Sequence, residues 1–164
     1  MNALEAFLYE ISKFFLMPVL VVLCAMFLFA LFALGTLLFD LALRKLRGHA
    51  RQPLRQYRQR HPQANAEAVE LHLLKLLEPL RITSRVAPML GLVATMIPMG
   101  PALVAVSAGN AQGIAQNLVV AFAAVIVALM AAAITYTVLS VRRRWLLAEL
   151  NQLLHGATAG VVHG

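Results

Sequence analysis

From Val86 to Val141 the chain has no Asp, Glu, Lys, Arg or His. A soluble domain does not run that far without charge, because its surface must face water. Cysteine is almost missing too. Cys24 stands alone inside an apolar run, so no intramolecular disulfide can form and cysteine usage says nothing about redox compartment. The five histidines (49, 61, 72, 155 and 163) are scattered without metal-ligand spacing. Glu70 and His72 are two apart and so fall on different faces of a helix. There is no nucleophile–base pair and no phosphate-binding loop. These absences argue against an enzyme, and no metal or other cofactor is expected.

What is present is apolar. Hydrophobic residues make up 61% of the 164, and the mean hydropathy is +0.78, which puts the chain in the membrane class. The predicted fold class is all-α, with three transmembrane helices and a helical cytoplasmic extension. Residues 1–15 place Leu4, Phe7, Leu8, Ile11, Phe14 and Phe15 at helical spacing and read as an interfacial amphipathic helix. A signal peptide fits less well, because Glu5 and Glu10 replace the expected basic residues and no small-residue cleavage site follows. The first transmembrane helix is placed at 16–43, with Pro18 near its start, where proline costs little. Asp40 closes its apolar run one turn before Arg44. That spacing fits an ion pair at the membrane edge; a proton-relay carboxylate is the alternative.

Residues 44–85 form a basic cytoplasmic segment with a helix at 66–85. Arg44, Lys45, Arg47, Arg51, Arg55, Arg58 and Arg60 surround Tyr57. The run could be taken for an RNA-binding stretch. Phospholipid headgroups and topology explain it with fewer assumptions, so no nucleic-acid partner is expected. After the break at His61-Pro62, Asn65 is a candidate N-cap, and the apolar stripe drawn from Val69, Leu71, Leu73, Leu74, Leu76, Leu77 and Leu80 needs a partner. That partner is either another copy of the chain or the basic segment.

The second transmembrane helix is placed at 86–106. Ala87, Gly91 and Thr95 share a face at spacing four, and Pro98-Met99-Gly100-Pro101 should kink the helix or free a carbonyl. A periplasmic turn follows at 107–116. The third span, 117–141, carries a small face of Ala121, Ala124 and Ala128. Arg142, Arg143, Arg144 and Trp145 stop it at an interface, as headgroup contacts and an aromatic anchor. A cytoplasmic helix and tail occupy 142–164, with the last eight residues expected to be disordered. Thirteen of the fourteen basic residues then fall on one side of the membrane, which predicts a periplasmic N-terminus and a cytoplasmic C-terminus.

Ala87-Pro88-Met89-Leu90-Gly91-Leu92-Val93-Ala94-Thr95-Met96-Ile97 resembles the APLLGLLGTV signature of the MotA/TolQ/ExbB proton-channel family. The three-span layout and the cytoplasmic segment between the first two spans resemble its ExbB/TolQ branch. The resemblance implies a bacterial inner-membrane protein that forms a ring-shaped homo-oligomer, a pentamer, around a single-span ExbD/TolR-like subunit carrying the proton-accepting aspartate. It implies a motor that uses the proton-motive force for TonB-dependent import or related envelope work, with a TonB-like protein as a further partner. Thr95, Gly91, Pro98, Ala121, Ala124 and Ala128 are then the expected pore-lining residues. For Thr95 the alternative is a hydroxyl bonded back to its own helix. Family members carry a threonine in the third span near Val120 or Ala121, and neither is polar here. That departure marks a divergent branch and keeps a second reading open, a non-conducting scaffold subunit of a membrane importer.

Overall fold

The structure is a computed structural model that describes residues 3–47, 53–60 and 66–162. Four helices account for almost all of them, with no strand among the described residues: α1 (Ala3–Arg47), α2 (Pro53–Arg60), α3 (Ala66–Ser107) and α4 (Ala111–Val162). Three of them, over Phe14–Leu46, Glu67–Ser107 and Ala111–Leu153, are long and apolar enough to cross a membrane. This matches the expected all-α, three-span class.

The helices are longer than the sequence pattern suggests. The interfacial stretch and the first span form one continuous helix, because nothing between Glu5 and Arg47 breaks it and Pro18 is absorbed. An apolar surface continuing without a break favours helix propagation, since each added residue brings another backbone bond. Likewise α3 carries Pro79, Pro88, Pro98 and Pro101 without ending. α4 runs through the tail expected to be disordered as far as Val162. The candidate N-cap Asn65 lies outside the described residues, as do His49, Arg51 and His61.

One turn reverses the chain, and its chemistry is local. Gly109 has φ 67°, a left-handed conformation that costs glycine little. Its N–H donates to the Val106 carbonyl and the Asn110 N–H to the Ala105 carbonyl, so two orphan carbonyls at the end of α3 are satisfied in a Schellman arrangement. Asn110 then caps the next helix, its Oδ1 accepting from the Gly113 N–H at 3.0 Å. The sequence reading placed a turn here, and the turn proper is only Ala108-Gly109-Asn110.

The chain divides into two compact units. The first comprises Met1–Phe32 and Thr83–Ile134. Its interior is made of small residues. Leu23 packs with Ala94, Ala124 and Ala128 in one cluster, and Ala30 with Ala87 and Ala131 in another. The large side chains Met89, Leu92, Met96, Leu103, Phe122 and Ile126 point outward. In hydrocarbon no hydrophobic force draws helices together, so close backbone approach does the packing.

The second unit comprises Ala33–Ile82 and Thr135–Gly164. Its core is built from larger groups: Leu54 of α2, Val69, Leu73 and Leu77 of α3, and Leu146 and Leu150 of α4. Fully burying a leucine in water is worth about 1.5–3 kcal/mol. The stripe on α3 that needed a partner therefore has one within the chain. Both the basic segment, through Leu54, and the C-terminal helix cover it.

Candidate functional site

In the first unit, α3 and α4 come close together at Gly91. A Cβ built there would lie 2.5 Å from the Ala128 Cβ, so α3 and α4 meet at a distance that only glycine permits. Ala124 and Ala128 belong to the same cluster as Ala94 and Leu23, and Ala121 and Pro98 are also buried. Of the six residues expected to line a pore, five are thus buried within one chain. Thr95 sits beside this seam and keeps partial exposure.

The Thr95 hydroxyl donates to the Leu92 carbonyl at 2.7 Å. This is the back-bonded state held as the alternative for Thr95. It commits the hydroxyl proton and leaves the oxygen lone pairs to accept. Pro98 and Pro101 have no N–H, so the Ala94 and Ile97 carbonyls lose their usual donors four residues on. Thr95 and these two carbonyls lie within one helical turn. Together they make a short acceptor-rich segment in a span that otherwise holds only apolar side chains and glycine. In hydrocarbon such groups require water or another protein beside them. Gln116 and Asn117 bring polar side chains to the start of the third span, and the Asn117 Nδ2 donates to the Gly113 carbonyl at 2.8 Å.

The second unit holds the residues expected at the membrane edge. Arg44 lies with its guanidinium carbon 3.8 Å from the Trp145 ring centroid, and no ion pair between Arg44 and Asp40 is found among the described residues. A weakly hydrated guanidinium gains about 0.5–2 kcal/mol over an aromatic face, and Trp145 supplies one. The Arg44 Nε is buried without a hydrogen-bond partner among the described residues. Arg142 does not reach outward. Its Nη2 donates to the Thr36 Oγ1 at 2.8 Å, and that hydroxyl in turn donates to the Ala33 carbonyl at 2.8 Å. Arg143 and Arg144 are exposed and Trp145 is half-buried.

Glu149 had no expected role. It is buried, and its Oε1 accepts from the Arg55 backbone N–H at 2.8 Å. Pro53 is the first residue of α2, which makes Arg55 the third, so Glu149 satisfies an orphan amide from another helix, as an N-cap side chain would. The negative charge also suits the positive end of α2. Tyr57 of α2 stacks on His72 of α3 with ring centroids 4.1 Å apart. A lone acid in an otherwise neutral, Leu-rich stretch was the available signal for Glu149. Its partner, 94 residues earlier in the chain, could not be read from periodicity.

No group of three or more His, Cys, Asp or Glu that could hold a metal is present among the described residues. The family described as the MotA/TolQ/ExbB proton channel family matches residues 36–153. No curated protein and no solved structure matches the chain.

Proposed function

The chain belongs to the MotA/TolQ/ExbB proton channel family, and from that premise we propose that it is the ExbB/TolQ-like subunit of a motor driven by the proton-motive force. It is a membrane subunit of a proton-channel family rather than a member of an enzyme family. In the proposed reading it assembles with copies of itself, as a pentamer, in the bacterial inner membrane around a single-span ExbD/TolR-like partner. The complex energises TonB-dependent import or related envelope work.

One observation carries the mechanism: no Asp, Glu, Lys, Arg or His lies between Val86 and Val141. A proton path through hydrocarbon needs a titratable group or a wet pore. The second and third spans supply no such group, so the acid must come from another chain. This subunit provides the sheath. The Gly91–Ala128 approach and the seam of Pro98, Ala121 and Ala124 give a thin, stiff wall. Thr95 stands beside it, its lone pairs ready to accept from water or from the protonated partner carboxyl.

Thr95→Val keeps the shape and removes the acceptor. We expect it to abolish growth that depends on the coupled importer and proton uptake by reconstituted vesicles, with Thr95→Ser largely retaining both. Full activity of Thr95→Val would remove the role.

The apolar pair Val120 and Ala121 favours a second reading, a non-conducting scaffold within an importer. Import that continues after the proton gradient is collapsed would select the scaffold.

A further inference from the structure

α3 carries two apolar stripes outside the span, and the chain covers only one. Val69, Leu73, Leu77 and Leu80 are buried. At 3.6 residues per turn, Glu67, Leu71, Leu74, Glu78 and Ile82 fall on roughly the opposite side. Leu71 is 53% exposed, Leu74 52% and Ile82 52%. Two acids interleave with them, both exposed. A stretch with Glu67, Glu70, Lys75, Glu78 and Arg81 in fifteen residues cannot lie in hydrocarbon, so lipid tails do not cover this face.

Lys75 and Arg81, also exposed, flank this acid-bearing stripe. The second unit's exposed acids are all on α3, while the exposed charges on α1, α2 and α4 are basic. On α4 the face turned away from the leucine core carries Arg144 and the half-exposed Leu147, with Arg143 beside them. Glu78 and Arg144 make no hydrogen bond or ion pair among the described residues. They also lie at one level. Leu73 and Leu77 share a cluster with Leu146 and Leu150 on a helix of opposite direction, which puts Glu78 and Arg144 within about one helical turn of the same height.

Height matters because copies in one bilayer are related by rotation about the membrane normal. Two surfaces can meet in such an assembly only if they share a depth. An acid-bearing stripe on one side of the subunit and a basic one elsewhere fit a head-to-tail contact, which closes into a ring when the rotation allows.

We propose that the outer face of α3, Leu71, Leu74, Glu78 and Ile82, docks on the outer face of α4 of a second copy of this chain, with Glu78 against Arg144 and Leu74 near Leu147. The contact rests on the homo-oligomer reading above and names the surfaces that build it.

The test uses the full chain purified in detergent, with mass measured by light scattering. Glu78→Arg and Arg144→Glu should each weaken assembly about tenfold or more, and the double exchange should recover most of it, because opposite charges then face each other again. Helix content of the variants by circular dichroism should match the parent, since both positions are exposed. Independently, Glu78→Cys with Arg144→Cys in a Cys24→Ala background should give an oxidation-dependent ladder of cross-linked copies in native membranes. A parent that is itself monomeric would overturn the ring and this contact together. A parent ring unchanged by both single reversals, or a cysteine pair that cross-links no copies, would overturn the contact and leave the ring standing. Cross-linking of Glu78→Cys to a different protein would assign the face to that protein instead.

Discussion

The two units bury different kinds of side chain. The first packs Ala94, Ala124 and Ala128 around Leu23, and Ala30, Ala87 and Ala131 against one another, and turns Met, Leu and Phe outward. The second buries Leu54, Leu73, Leu77, Leu146 and Leu150 and ties the assembly with a buried carboxylate. Water rewards burial of large apolar groups and leaves them inside. Hydrocarbon offers no such reward, so there contact density decides, and small residues let backbones touch. The composition of each interior thus reports the solvent around it.

Leu→Ala substitutions test that contrast most strongly. Leu73→Ala in the second unit should cost about 2–5 kcal/mol. Leu92→Ala, exposed in the first unit, should cost about 0.5 kcal/mol or less. Denaturant or thermal unfolding in one detergent would give both values, and equal costs would break the comparison.

In the first unit the sensitive change is an enlargement. Gly91→Ala drives a methyl to within 2.5 Å of the Ala128 Cβ and should cost about 1–3 kcal/mol. Adding Ala128→Gly to it should return most of the loss. If the double variant is no better than the single one, close approach is not what holds α3 to α4.

The smallest effect concerns the tie. Glu149→Gln keeps an acceptor for the Arg55 amide and should cost only about 1 kcal/mol, whereas Glu149→Ala leaves that amide without its partner and should cost about 1–3 kcal/mol. Faster amide exchange confined to α2 in Glu149→Ala would show that the carboxylate acts on that helix. Unchanged exchange would limit it to filling space.

Much of this was legible beforehand. The three apolar helices, the turn near Gly109 and the role of small residues at Gly91, Ala124 and Ala128 follow from hydropathy and spacing. From Ala3 the interfacial stretch runs into the first span as one helix, because amphipathic spacing and apolar continuity both favour helix and the chain has no breaker there. Asp40 and Arg44 illustrate a different limit. Their spacing permits a pair, but Trp145, a hundred residues on, offers the guanidinium a flat aromatic face.

The sequence by itself determined that this chain is a membrane protein, that three of its segments are long and apolar enough to cross, where its charge is concentrated, and that its second and third spans contain no Asp, Glu, Lys, Arg or His. Each is a sum or a period along one helix. Tertiary structure decided which of two apolar stripes on α3 is covered, that Arg142 is held by Thr36, that Glu149 caps a helix far away in sequence, and that Thr95 is the partly exposed member of the small-residue seam. Those choices depend on which helices come together, and a face that periodicity marks as apolar carries no record of the partner that will cover it.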